Sequence, residues 1–269
     1  MLGHMVSCYF KKKKQSNLIL CSRSKTNIIT LDENLIKISE YSKKQLFDLI
    51  DQHRPCKIIN CVGVTNINEN EKKLNLINTE LPILLAKILD RKKDGSQLIQ
   101  ISTDGVFSGK RGNYIESDQP DASDAYSQSK LKGEVVYPPH LTIRTSIIGP
   151  QLKSNAGLLE WFLKQKKEIS GYSNVTWNGV TTLECAKFID WTINHELTGL
   201  IHLFSEKISK YDLLNVMKKV YRKNIKINSD KDIKLDRSLN TERADMNYVI
   251  PDHHKMLEEL KSFSLFKKN

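Results

Sequence analysis

Apolar positions along the first half of the chain switch between two spacings. At Leu2, Met5, Val6, Tyr9 and Phe10 they recur every three or four residues, the period of one helix face, and predict a helix from Met1 to Lys12. Short apolar, β-branched runs then predict strands at Asn17–Cys21, Ile28–Leu31 (ending at Asp32), Lys57–Val62, Leu98–Ile101 and Leu141–Arg144. Between them, helical patterns run from Lys43 to Gln52 and from Glu69 to Asp90, with Pro82 marking a bend or break in the second. A further helix begins at Ser123 or Asp124, both good N-cap types, after a loop rich in Gly, Asp, Ser and Pro from Gly109 to Ser123. This alternation predicts an α/β fold with a doubly wound parallel sheet. After Pro150 the pattern loosens. Helices at Gly157–Lys166, Leu183–Asn194, Lys210–Val220 and His253–Leu260, with short strands at Gly199–Phe204 and Ile225–Ile227, predict a smaller C-terminal lobe.

Composition narrows the class without naming a chemistry. The 269 residues are 39% hydrophobic and 27% charged, the balance of a soluble globular protein, and no apolar run reaches the length of a membrane span. No signal peptide is expected, because Lys11 to Lys14 interrupt the N-terminal apolar stretch; a cytoplasmic location is the expectation. The five cysteines lack metal-ligand spacing and read as reduced thiols, so no metal site is expected. A net charge of +11 admits nucleic-acid binding, but the lysines are scattered and not interleaved with aromatics, so a solvated basic surface is the reading, with no nucleic-acid partner. Such a surface still favours anionic small ligands. The Lys11–Lys14 run suits the exposed end of the first helix, where cations complement the helix dipole.

The candidate chemistry lies in the middle of the chain. Ser102, Thr103 and Asp104 fall at the C-terminal end of the Leu98–Ile101 strand, the end at which open α/β sheets bind ligands. Downstream, Tyr126 and Lys130 are four residues apart and share one helix face. A free tyrosine has a pKa of about 10, and lowering it by two or three units takes roughly 3–4 kcal/mol, which a lysine ammonium in a partly dry site can largely supply. The expected result is an acid for carbonyl reduction, with the Thr103 hydroxyl holding the same oxygen. Alone, Tyr-x-x-x-Lys is a weak signal; its place after the strand and loop gives it weight.

Blocks along nearly the whole chain resemble the extended short-chain dehydrogenase/reductase superfamily, and within it the dTDP-4-dehydrorhamnose reductase family. They are Ile59-Asn60-Cys61-Val62-Gly63, Ile77-Asn78 with Pro82 and Leu85-Ala86, Ser102 to Gly109, Tyr114 with Glu116, Tyr126 to Lys130 with Gly133-Glu134, Arg144 to Gly149, Asn178 to Thr182, and Asp236 to Leu239. The resemblance implies a Rossmann-like dinucleotide-binding domain at residues 1–150, with part of 172–196 packing back onto it, and a substrate-binding lobe at 151–269. It implies that Thr103 binds a substrate carbonyl, that Tyr126 protonates it, and that Lys130 holds the nicotinamide ribose and lowers the Tyr126 pKa. Gly3, Ser22, Arg23, Asn60, Cys61, Gly63 and Asn78 would meet the cofactor. Ser102, Asp104, Arg144, Asn178 and Thr181 would line a sugar-nucleotide pocket, although Arg144 reads equally as a buried ion-pair arginine and the Asn178 segment as an ordinary turn. Cys21-Ser22-Arg23, at the end of the second expected strand, lacks the acid that binds an NAD ribose, so NADPH is the expected cofactor and NADH the alternative.

Three departures qualify the resemblance. Gly105 stands where rhamnose-forming reductases often carry a tyrosine, which puts that particular sugar in doubt, and Ser127 replaces the usual glycine after the tyrosine. Met1-Leu2-Gly3-His4 resembles the end of a glycine-rich phosphate loop whose first strand and earlier glycines are missing, so the cofactor domain is expected to be N-terminally incomplete, through a misplaced start or a truncation. The expected activity is NADPH-dependent reduction of a nucleotide-linked 4-keto-6-deoxy sugar for surface polysaccharide. The alternatives are a nucleotide-sugar epimerase or dehydratase of the same superfamily, or a non-catalytic binding subunit. A homodimer is left open.

Overall fold

The computed structural model describes residues 1–14, 17–22, 35–38, 40–65, 69–151 and 157–263. Its organising element is β4 (Gln97–Thr103), a run in which every residue but the last is buried. Both neighbours pair with it in parallel: β3 (Lys57–Asn60) on one side and β5 (Leu141–Thr145) on the other. Strands buried on both faces read as near-continuous apolar runs, which is why Leu98, Ile99, Leu141 and Ile143 show no solvent exposure. β10 (Gly199–Leu203) extends the sheet beyond β5, so a strand from the stretch expected to form the lobe lies in the main sheet. A separate parallel pair joins β1 (Leu20–Ser22) to β2 (Leu35–Lys37). Among the described residues, β3 pairs with β4 alone and β1 with β2 alone. The expected strand at Ile28–Leu31, with Asp32, lies outside the described residues.

Helices cover the sheet. α1 (Leu2–Lys12) turns Leu2, Met5, Val6 and Phe10 inward against α7 (Thr182–Asn194) and ends in Lys11 and Lys12. Lys13 just beyond it reaches Asp190 of α7 at 2.5 Å. On the other side, α2 (Lys43–His53) and α4 (Leu81–Lys92) bury Leu46, Ile50, Leu85 and Leu89 together with Leu98. The expected long helix over 69–90 resolves into α3 (Glu71–Leu74), a π-helical turn at Asn75–Glu80, and α4, with Pro82 where the π-helical turn passes into α4.

α5 (Ala125–Lys132) carries Tyr126 and Lys130. Asp124 caps it, accepting the Ser127 N–H at 2.9 Å and the Ser127 hydroxyl at 2.6 Å. The rest of the chain adds β6 (Ile147–Ile148), α6 (Leu158–Lys164), β7 (Glu168–Tyr172), β8 (Val175–Trp177), β9 (Val180–Thr181), β11 (Ile208–Ser209), α8 (Lys210–Val220), β12 (Lys226–Asp230), β13 (Leu235–Asp236) and α9 (His253–Ser262). They form small sheets, β7 with β12, β6 with β9, and β8 between β11 and β13. No helix among the described residues is long and apolar enough to cross a membrane.

Candidate functional site

The strand end at Thr103 opens into a tight 3-10 turn over Asp104–Val106. Thr103 caps it, its hydroxyl accepting the Gly105 N–H at 3.0 Å and donating to Asp104 at 3.2 Å. Beyond the turn, Phe107 is fully buried and stacks on Tyr114 with ring centres 4.1 Å apart. The loop is then bolted to the C-terminal part of the chain: Tyr114 N–H donates to Ser238 at 2.9 Å and Asn240 N–H to Tyr114 at 2.7 Å. Gly109 adopts φ +85°, and a side chain there would run into Leu235 and Arg237. These contacts bring Arg237 and, from the start of α8, Lys210 into the field of Asp104.

Tyr126 is half-buried and interacts through its phenol with the Thr103 hydroxyl. Its pKa lies above the ordinary value. Burial is the main cause, the Thr103 contact works against it, and the carboxylates of Asp104 and Asp124 add to it. Lys130 is buried, and its ammonium donates to the Ile101 carbonyl at 2.6 Å. Burial lowers its pKa to about 8, with Glu134 and Cys61 opposing. This corrects the expected electrostatic pairing. Lys130 is not among the groups that shift Tyr126, because its ammonium is turned to the main chain of β4.

Of the expected cofactor residues, Gly63, Asn78 and Cys61 lie near Lys130. A methyl group built on Gly63 would lie 3.6 Å from Asn78 Oδ1 and 4.0 Å from Lys130 Nζ, so the bare glycine leaves the approach to both open. Asn78 is buried and triply engaged, with Val64 N–H, Val64 C=O and Ser129 Oγ at 2.9, 3.0 and 3.0 Å. Asn60 binds Gln100 at 2.7 Å and accepts the Val62 N–H. Gly3 lets α1 approach Cys61, whose thiol burial pushes up to about 12. Ser22 ends β1 and accepts the Ile38 N–H through its carbonyl. Arg23, and with it the expected NADP-phosphate contact, lies outside the described residues.

Four of the five expected pocket residues are bonded within the protein. Arg144 makes a bidentate ion pair with Glu134, at 2.8 and 2.7 Å, and both side chains are buried. Ser102 donates to the same carboxylate at 2.6 Å. Asn178 clamps the main chain of Leu239 from both sides, at 2.8 and 3.0 Å, and Thr181 caps α7. Each satisfies a buried group that would otherwise be unpaired. Asp104 does face the site, and burial raises its carboxyl against the pull of Arg237 and Lys210.

Two cations went unassigned in the sequence. Lys210 Nζ sits 4.9 Å from the Trp177 ring centre, and burial lowers its pKa to about 8 against the attraction of Asp104. Arg237 Nε is buried and has no hydrogen-bond partner among the described residues. Arg237 stands inside the Asp236–Leu239 block; nothing in the sequence marks Lys210, because its approach to Asp104 is tertiary.

A parallel α/β sheet with a Thr–Tyr pair and a buried lysine at the carboxyl end of its middle strand is the architecture of the extended short-chain dehydrogenase/reductase class. The chain belongs to the RmlD substrate binding domain family, which it matches over residues 14–224. It is 29% identical over 136 residues to a dTDP-4-dehydrorhamnose reductase of Aggregatibacter actinomycetemcomitans, 48% of this chain and 45% of that protein. To a probable low-salt glycan biosynthesis reductase of Haloferax volcanii it is 30% identical over 127 residues, 44% of this chain and 42% of that protein. The matched segments thus span less than half the length of either relative. The fold is shared with the dTDP-4-dehydrorhamnose reductase of Bacillus anthracis in complex with NADP, at a TM-score of 0.72 and 20% identity over 89% of this chain and 92% of that one.

Proposed function

We propose that this chain is an NADPH-dependent reductase of a nucleotide-linked 4-keto-6-deoxy sugar in surface polysaccharide synthesis. The observation that carries the reading is the grouping of Thr103, Tyr126 and the buried Lys130 where β4 ends, with the Lys130 ammonium 2.6 Å from the Ile101 carbonyl and Thr103 acting on the Tyr126 phenol. The names of the relatives, two of them reductases and one structure holding NADP, point the same way. The cofactor fits the residues present in one respect that can be checked: the missing side chain of Gly63 leaves room beside the buried Lys130 ammonium, which holds one main-chain carbonyl and has further N–H groups for a ribose hydroxyl, while Asn78, fully bonded within the protein, shapes the loop. Gly63 and Lys130 would hold it there, with Gly3, Ser22, Asn60, Cys61 and Asn78 around it. Bound NADPH supplies a hydride for the carbonyl carbon.

The protein's own part is the oxygen. The Thr103 hydroxyl orients the carbonyl, and Tyr126 gives it a proton. A phenol held above its usual pKa is protonated throughout the neutral range but is a weaker acid than the lowered phenol expected from the sequence. Arg237 Nε retains unmet hydrogen-bonding capacity and the Lys210 ammonium stands in the same field of Asp104, which suits a phosphorylated substrate rather than a neutral sugar.

NADPH binding followed by fluorescence, then NADPH oxidation with a panel of nucleotide-linked 4-keto sugars, tests the reading. Tyr126→Phe is expected to lower turnover by about 10²–10⁴-fold, the usual weight of general-acid catalysis, while NADPH affinity is retained. Failure of the wild-type chain to bind NADPH at millimolar concentration, or full activity of Tyr126→Phe, excludes it.

A further inference from the structure

The π-helical turn at Asn75–Glu80 has no counterpart in the periodicity of the sequence. Turns of this kind insert extra backbone into a helix and re-aim its groups. Here it aims two of them at Ser129 of α5 and a third at Gly133, just past the end of that helix. Asn78 Nδ2 donates to Ser129 Oγ at 3.0 Å, and Thr79 Oγ1 donates to the Ser129 carbonyl at 2.8 Å. The Asn78 carbonyl lies so close to Gly133 that a methyl group there would stand 1.8 Å from its oxygen. Ser129 in turn donates to the Tyr126 carbonyl at 2.7 Å and immediately precedes Lys130. On its other side, Asn78 grips both main-chain groups of Val64, next to Gly63.

We infer that Ser129 is a positioning residue: with Asn78 it sets α5, and hence Tyr126 and Lys130, against the Gly63–Val64 loop. The inference rests on the proposed reductase function for its catalytic consequence, but not for its structural half. A serine inside a helix ordinarily costs a little helix stability and bonds back to its own turn. Ser129 makes that back-bond and also accepts a bond from outside the helix, so its hydroxyl links two elements rather than one. Its burial leaves no water to substitute for the link. Gly133 supplies the steric half of the same clamp, because only a bare α-carbon lets the π-helical turn come this close.

The test uses the full chain as wild type, Ser129→Ala and Ser129→Thr, with three measurements. Amide hydrogen exchange over residues 125–132 reads the clamp without substrate or cofactor. NADPH titration reads the cofactor site, and steady-state kinetics reads kcat against KM. In Ser129→Ala, exchange over α5 is expected to quicken by about tenfold, roughly the weight of one buried hydrogen bond. Its kcat is expected to fall by about tenfold with KM and NADPH affinity within about twofold of wild type. Ser129→Thr, which keeps the hydroxyl, restores both. Combined with Asn78→Ala, the two losses in kcat are expected not to add, as for partners in one bond. Faster exchange with unchanged kcat makes Ser129 a purely structural residue and overturns the positioning role; unchanged exchange overturns the clamp itself. A wild-type chain that binds no NADPH overturns the reductase reading, a different failure, and exchange still decides whether the clamp exists.

Discussion

Tyr126 and Lys130 share a helix face, yet each is tuned by something other than its neighbour. Burial and two carboxylates raise the phenol, and burial lowers the ammonium to about 8. The pH dependence follows in sign. Lys130 is charged below about 8 and neutral above it, whereas Tyr126 stays protonated beyond the usual tyrosine value. For a reductase that needs the phenol as acid and the ammonium as anchor, kcat/KM, which reports the free enzyme, is expected to fall as pH rises through about 8. An alkaline limb near about 10, the ordinary tyrosine value, would contradict this. Lys210 titrates in the same range. Its contribution is separated by Lys210→Arg, whose guanidinium stays charged: a limb that survives this change unmoved belongs to Lys130.

At the scale of elements, α5 depends on its first turn. Asp124 caps it through two contacts, and the same carboxylate adds to the raised pKa of Tyr126 two residues on. Asp124→Ala is expected to cost about 0.5–2 kcal/mol in urea unfolding and to lower the Tyr126 pKa. An unchanged unfolding midpoint would mean that the cap contributes nothing. The start of this helix was legible, since Ser123 and Asp124 are cap residues ahead of a helical pattern, and so were the runs that became β3, β4 and β5. The π-helical turn was not. Periodicity reports which face a residue occupies, not an extra residue wound into the helix, and this turn is held by Ser129 and by Gly133, roughly fifty residues away. The internal partners of the expected pocket residues were hidden for a related reason. Arg144 has a helix–strand context compatible with ligand binding, and only the fold reveals Glu134 as its partner. Local sequence cannot say which of two buried acceptors, protein or substrate, a buried donor will meet.

At the scale of the molecule, the candidate site is assembled from distant parts of the chain, and its joint is Asn178. The catalytic candidates come from residues 103–130, whereas Arg237 arrives from the segment after β13. That segment is held by the Tyr114–Ser238–Asn240 contacts and by the two-sided grip of Asn178 on Leu239. Leu239 is buried, so Asn178→Ala strands one N–H and one C=O, at roughly 1–3 kcal/mol each. The cheapest relief is for residues 236–240 to lift toward water, taking Arg237 from Asp104. The Gly63–Asn78–Lys130 side makes no use of Asn178 and should be spared. Asn178→Ala is therefore expected to raise the KM for the sugar nucleotide by about tenfold or more, equivalent to about 1.4 kcal/mol, with NADPH affinity unchanged. Limited proteolysis should show new cleavage between residues 231 and 250. If NADPH affinity falls in step with substrate affinity, the damage is global and Asn178 is not the joint; if neither changes, the segment is held by Tyr114 and Ser238 alone.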